Sequence, residues 1–405
     1  MDQFGASCWA NINWKILYKI VRNLKFMDLK SCTLVCRHWN GVVFQTILCN
    51  LVKFPLAKID GSSGQLVPFD LKMAQAIKRS YIRLRVEWNN DCPADYFCTI
   101  HTLLEIVLSK LETSNCQLTI RASPDSRFSR FFKEQQTFLK KICELKVILE
   151  QPVLPYGIEN STTVCDLTDL PTYDILDIDM PELTSLCWED ITLGASSGTK
   201  PLLRLLAPRL VFLNIKQCFQ WEPYGQLRIL ETNSLKQIKL DIPNRVWPRF
   251  HKNNLSNLEV FKFSYNVRYF GNDYTIDPVD ICELFSRLTN LKQIKVEHMN
   301  DELLKTICRY CCVLETLFAY KFALRSQSFA SLSASKKLKE LSLIEGTIFE
   351  GDTKVSCEGL RNVYVQDVRL INAKFPIVLN HEGMKVTIHY EEIGPGAWMC
   401  RSVRK

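Results

Sequence analysis

The stretch "LKQIKL" at 235–240 returns almost unchanged as "LKQIKV" at 291–296. Both follow the frame LxxLxL, with apolar residues at the first, fourth and sixth places. Working outward in both directions, the frame recurs as "LTSLCW" from 183, "LVFLNI" from 210, "LEVFKF" from 258, "LETLFA" from 314, "LKELSL" from 338 and "LRNVYV" from 360. Successive starts, including the two quoted first, differ by 27, 25, 23, 33, 23, 24 and 22 residues. Six of the seven intervals fall within 22–27, so the leucines mark a repeat array rather than chance spacing. The long interval contains "NVRYFGNDYTIDPVD" (266–280), which reads as a surface insertion.

Alternate residues of a strand share a face, so the second Leu and the third apolar residue point into one core. Stacked copies make a parallel sheet. Spacers such as "DICELFSRLTN" (280–290) and "DELLKTICRYCC" (301–312) read as helices on its outer side. Burying three apolar side chains contributes about 5–8 kcal/mol gross per repeat, and ordering entropy offsets most of that. One repeat would not fold alone, but an array does. The period is similar to that of leucine-rich repeats, and the resemblance implies an α/β solenoid with a curved parallel sheet inside and helices outside. Cys218 and Asn266, each eight residues after a frame-opening Leu, take the turn-bonding place of that repeat.

Upstream the frame is looser. "YIRLRV" from 81, "ICELKV" from 142 and "VCDLTD" from 164 fit it, and "NCQLTI" from 115 fits poorly. The expected organisation is a helical segment at 9–50, divergent repeats at 51–180, regular repeats at 181–390 and a cap or tail at 391–405. "KIDGSSGQLVP" (58–68) reads as a loop or linker. Its "GSSG" has no Lys to hold a phosphate.

The place between the second and third core positions faces the concave side. Down the array it reads Cys187, Asn214, Lys239, Lys262, Lys295, Phe318, Ser342 and Tyr364. Three lysines are thus expected on neighbouring strands, about 5 Å apart, where like charges repel. Lys216 extends the patch, and Tyr320 joins Phe318 and Tyr364 beside it. Asp241 and Glu297 lie two residues further along their strands. Such a stripe suits an acidic or phosphorylated protein substrate; the alternative is an ordinary solvated face.

Composition sets the outer bounds. Apolar residues make up 47% and charged residues 23%, which is globular rather than disordered. The net charge of +8 permits an acidic partner without requiring nucleic acid. "RSYIRLRVEW" (79–88) is the feature that would favour nucleic acid. Seventeen cysteines in 405 residues are too few for a disulfide scaffold. With no basic, then apolar, leader at the start and no long apolar run, the chain is expected in a reducing compartment, cytoplasmic, nuclear or both, with no membrane span.

At the N-terminus, Ile12, Ile16, Leu17, Ile20, Val21 and Leu24 fall at helical spacing, with Asn11 or Asn13 as cap. A second helix is expected from an Asp28 cap, with Leu29, Cys32, Val35, Cys36, Trp39 and Val43 on one face and a break or kink at Gly41. Cys32 and Cys36 then face one way for packing, and a zinc site would need two further ligands nearby. About 40 residues in two short helices cannot bury a large core, so their apolar faces need cover.

"INWKILYKIVRNLKFMDLKSCTLVCRHWNGV" (12–42) resembles an F-box, most specifically in the "LVCRHW" run at 34–39. The family usually opens with Leu-Pro, where this chain has Ile12-Asn13. The resemblance covers about a tenth of the chain. It implies docking to the Skp adaptor of a cullin-based ubiquitin ligase, and through it to cullin and RING subunits. The docking residues it implies are Ile12, Ile16, Leu17, Ile20, Leu24, Leu29, Leu34, Val35 and Trp39.

No catalytic constellation is present. There is no HExxH and no GxSxG, and the six His are scattered. The lone CxxC at Cys308 and Cys311 lacks the second pair a zinc site needs and reads as buried packing. The expectation is a substrate receptor that is not an enzyme and needs no cofactor or metal. The rival is a repeat scaffold with no ligase role, its first helices only a cap.

Overall fold

The computed structural model describes residues 12–48, 52–59, 65–76, 81–89, 92, 95–109, 116–122, 126–149, 176–190, 203–217, 228–230, 234–242, 255–265, 278–351, 357, 359–373, 389–394 and 397–401. Cys218, Asn266, the frame at 164 and insertion residues 266–277 lie outside them. The chain divides into two compact units, Met1–Ile158 and Glu159–Lys405.

The described residues of the first unit begin with three short helices. Helix α1 (Trp14–Val21) starts at Asn13, whose Oδ1 accepts from the Lys15 N–H at 2.9 Å. Helix α2 spans Phe26–Cys32, and α3 spans Arg37–Val43 before a π-helical turn at Phe44–Leu48. Leu17, Val21, Leu29, Val43, Phe44 and Leu48 make their core.

The expectation is a second helix from Asp28 with its break or kink at Gly41, and the structure corrects both places. The break falls at 33–36. Asp28 sits inside the first turn of α2, not at its cap. The end of α2 tightens through i→i−3 bonds, from Leu34 N–H to the Ser31 carbonyl and from Val35 N–H to the Cys32 carbonyl. The Thr33 hydroxyl donates to the Lys30 carbonyl at 2.7 Å and so competes for a helical acceptor. Cys36 then caps α3, its Sγ accepting from the Trp39 N–H at 3.5 Å. Gly41 lies inside α3 without interrupting it.

The rest of the first unit is α/β. Its elements are β1 (Phe54–Pro55), β2 (Ala57–Ile59), β3 (Leu66–Pro68), α4 (Leu71–Ala76), β4 (Arg83–Trp88), α5 (Tyr96–Leu108), β5 (Cys116–Ala122), α6 (Ser126–Glu134), α7 (Gln136–Leu139) and β6 (Ile142–Leu149). Strands β1, β4, β5 and β6 pair in that order, all parallel. The flanks of "GSSG" are more than a linker: β2 and β3 pair antiparallel, Ala57 opposite Pro68. Leu84, Val86, Leu118, Ile120, Leu145 and Val147 point inward. Trp88 meets Phe97 of α5 and Phe131 of α6, which puts these helices against the buried sheet face.

The second unit runs β7 (Leu176–Asp179), β8 (Ser185–Asp190), β9 (Leu203–Leu206), β10 (Phe212–Gln217), β11 (Arg228–Leu230), β12 (Gln237–Ile242) and β13 (Val260–Tyr265). Then come α8 (Pro278–Ser286), β14 (Gln293–Glu297), α9 (Asp301–Tyr310), β15 (Thr316–Tyr320), β16 (Ala323–Arg325) and a 3₁₀ stretch at Ser326–Ala334. It ends with β17 (Glu340–Ile344), β18 (Thr347–Gly351), β19 (Asn362–Gln366), β20 (Val368–Ala373), β21 (His389–Gly394) and β22 (Ala397–Arg401). Eight of these strands, β8, β10, β12, β13, β14, β15, β17 and β19, pair in order and in parallel. Each carries one copy of the repeat frame.

Outer helices occur where expected in 278–286 and 301–310. Several other spacers hold short strands among the described residues. β7, β9 and β11 form one small parallel sheet, and β16, β18 and β20 form another. The C-terminal residues extend the latter, with β22 antiparallel to both β20 and β21.

A recurrent corner ends β14, β15, β17 and β19. His298, Lys321, Glu345 and Asp367 come directly after these strands and share positive φ values of 60, 50, 51 and 53°. The N–H groups of the first three donate to the last carbonyl of the next strand, those of Tyr320, Ile344 and Gln366. The bond compensates for a left-handed conformation that costs L-residues about 1–2 kcal/mol. No helix among the described residues is long and apolar enough to cross a membrane.

Candidate docking surfaces

The first surface lies on the three N-terminal helices. Leu17 and Val21 occupy the middle of the apolar arc of α1 and are fully buried, while Ile16 and Ile20 on one flank and Trp14 and Tyr18 on the other stay exposed. Leu24, Phe26 and Met27 continue that exposure into α2. Leu34 and Val35, thrown outward by the turn at 33–36, are 86% and 56% exposed. Twelve large hydrophobic residues are exposed among the described residues, and nine lie between Trp14 and Val35. Exposed apolar side chains are therefore concentrated in this segment of the sequence.

Among the expected docking residues, Ile16, Ile20, Leu24, Leu34 and Val35 are available at this surface. Ile12 and Trp39 are half-buried against the core. Leu17 and Leu29 are corrected: both are buried in the segment's own core, where they hold the surface in place without forming it. The His38 ring adds a tie, its Nε2 donating to the Ile12 carbonyl at 2.9 Å and linking the start of α1 to α3. Cys32 and Cys36 are partly buried thiols.

The second surface is one face of the eight-stranded sheet. Phe261 of β13 packs on Phe285 of α8 with ring centroids 5.9 Å apart, so the inward residues face the helices. Alternation turns the next residue, Lys262, to the opposite face. There the expected row is in register across eight strands: Cys187, Asn214, Lys239, Lys262, Lys295, Phe318, Ser342 and Tyr364 stand side by side. Lys239 and Lys295 are exposed and Lys262 is half-buried between them.

Lys295 Nζ lies 4.6 Å from the Phe318 ring centroid, a cation–π contact that joins the basic and aromatic parts of the row. The Tyr364 hydroxyl donates to Gln366 Oε1. Lys216 stands next to Asp241 in the second row, and Tyr320 next to Glu297. Burial pushes the Asp241 carboxyl above its usual range, while the Ser264 hydroxyl and Lys216 pull it back. Glu297 is paired with Lys321 at 3.0 Å, and that lysine also lies over the Tyr320 ring. The repeat frame does not single out Ser264 or Lys321; their contacts depend on strand register and on the left-handed corner.

Cys308 and Cys311 are buried in and after α9, with Cys312 exposed beside them. Burial, with Cys308 adding to it, pushes the Cys311 thiol up to about 12. Among the described residues no group of three or more His, Cys, Asp or Glu is placed to hold a metal ion. No family model matches the chain, and no curated protein matches it.

Proposed function

We propose that this chain is the substrate-receptor subunit of a cullin-based ubiquitin ligase. In this reading the N-terminal helices are an F-box that docks to the Skp adaptor, and the repeats are a leucine-rich repeat solenoid that presents a protein substrate. The single observation that carries it is the exposure of Leu34 and Val35, inside the "LVCRHW" run, in a segment that also exposes seven other large apolar side chains. A monomeric fold gains nothing from an 86% exposed Leu in a segment with eight more exposed large apolar side chains. The family's opening proline is missing, but Asn13 fixes the start of α1 by a side-chain cap instead.

The chain supplies binding and no bond chemistry. Holding a substrate beside a ubiquitin-charged enzyme raises the effective concentration of its lysines, which is enough to accelerate transfer. Co-expression with the Skp adaptor tests the reading. The parent should co-purify as a stable complex, and Leu34→Ser with Val35→Ser should lose it without a change in melting temperature. A complex that survives the double change, or none forming with the parent, would leave the repeats as a scaffold without a ligase role.

A further inference from the structure

Two columns of the second unit's sheet carry charge, and they follow opposite rules. In five successive repeats, those of β12 to β17, the residue after the frame-opening Leu reads Lys236, Glu259, Lys292, Glu315 and Lys339. Signs alternate across these five, and Arg361 in the next repeat ends the alternation. Lys292 Nζ is 3.0 Å from Glu259 Oε2, and Lys339 Nζ is 2.8 Å from Glu315 Oε2. Three residues along the same strands, Lys239, Lys262 and Lys295 are direct neighbours with no carboxylate between them. Among the described residues these three make no ion pair, and Lys295 is held by Phe318 instead.

Like charges on paired strands repel. The same strands that balance charge in one column therefore concentrate it in the next. At a strand spacing of about 4.8 Å, the three lysines span about 10 Å before the row turns aromatic at Phe318. The positive row is also narrow. Asp241 and Glu297 border it two residues further along β12 and β14. A nucleic-acid strand carries a charge every few ångströms without interruption. It would run off this short track onto those carboxylates or onto the aromatic end.

We propose that the row from Lys239 to Phe318 binds a short acidic peptide segment of a protein partner, anionic side chains on Lys239, Lys262 and Lys295 and an aromatic side chain against Phe318 and Tyr364. This rests on the reading that the sheet face presents a partner. The shared chemistry is a cluster of anionic side chains, whether carboxylates or phosphoserine.

The test uses the full chain and a short fluorescein-labelled peptide alternating Glu and Phe, read by anisotropy. Companion peptides carry Gln or phosphoserine in place of Glu, and labelled oligouridylate is the nucleic-acid probe. The Glu or the phosphoserine peptide should bind and the Gln peptide should not. The tighter of the first two identifies the anion. Lys239→Glu, Lys262→Glu and Lys295→Glu together should weaken binding at least about tenfold, or about 1.4 kcal/mol. Lys→Gln at the same places, which adds no new charge, should weaken it less. The control is Lys236→Glu with Lys292→Glu and Lys339→Glu, the same change in net charge one column away; it should bind nearly as the parent does.

Equal loss in both triple variants would reduce the effect to net charge and overturn the proposal. So would no binding of either anionic peptide, or preferential binding of oligouridylate. Adaptor co-purification is measured on the same variants. If it fails while the peptide binds as described, the ligase reading falls and the peptide site stands; the converse result removes the peptide site alone.

Discussion

The N-terminal helices and the sheet of the second unit are both rich in aliphatic residues, yet they dispose of them differently. In β14 the apolar Ile294 and Val296 are fully buried, and Lys295 between them faces out. In α1 and α2, Leu17, Val21 and Leu29 are buried while Ile16, Ile20, Phe26 and Met27 are not. Each inner strand has a neighbour on both sides and a layer beneath it. Three helices of seven or eight residues enclose too little volume to cover both flanks of their own apolar arcs. The sheet is thus finished as a core, and the helices are half of one.

The largest expected effects sharpen that contrast. Phe261→Ala empties a site between Phe263 and Phe285 and should cost about 3–5 kcal/mol, read as a fall in the chemical-denaturation midpoint of the second unit. Leu17→Ala should cost about 2–5 kcal/mol and speed proteolysis within the N-terminal helices. Leu34→Ser, also in these helices, should change stability by less than about 0.5 kcal/mol, because its side chain is already in water. If Leu34→Ser proves as costly as Leu17→Ala, the residue is covered and the surface is not free.

Thiol reactivity gives the next test. Brief alkylation of the native chain followed by mass spectrometry should modify Cys312 and the exposed Cys98. Cys311 should resist, as should Cys116, whose thiol burial also pushes up to about 12. Rapid labelling of Cys311 would mean that the packing behind β15 opens readily.

The smallest effect concerns the alternating column. Lys292 holds the Glu259 carboxyl below its usual range, and Lys339 does the same for Glu315. A carboxyl lowered in the folded state stabilises the fold above its unfolded pKa, and that stability disappears as pH falls through the lowered value. Both groups are open to solvent, so screening keeps the effect small. Melting should therefore decline slightly below about pH 4.5 in the parent, and Glu259→Gln with Glu315→Gln should flatten that decline.

The strands were the most legible part of the fold. A period of two inside a period of 22–27 leaves little freedom, and even the poorly fitting "NCQLTI" forms β5 with Leu118 and Ile120 inside. The break between α2 and α3 was not legible. Leu29, Cys32, Val35 and Cys36 have helical spacing, and nothing in that spacing reveals that Thr33 and Cys36 will bond the backbone instead. The short strands beside the main sheet escaped for a similar reason. Segments as brief as Leu203–Leu206 and Ala323–Arg325 are strands only because a neighbour offers its edge.

The candidate surfaces divide in the same way. The lysine row could be written down from the frame, since identical frames force identical registers. The pairing of Lys295 with Phe318, the burial of Asp241 and the capture of Glu297 by Lys321 needed coordinates. By itself the amino-acid order determined the repeat, the face each repeated residue takes and the helical character of the N-terminal segment, because backbone periodicity is a local property. Only the tertiary structure decided which apolar residues of those helices stay in water and which charges find partners, because burial and pairing depend on neighbours distant along the chain.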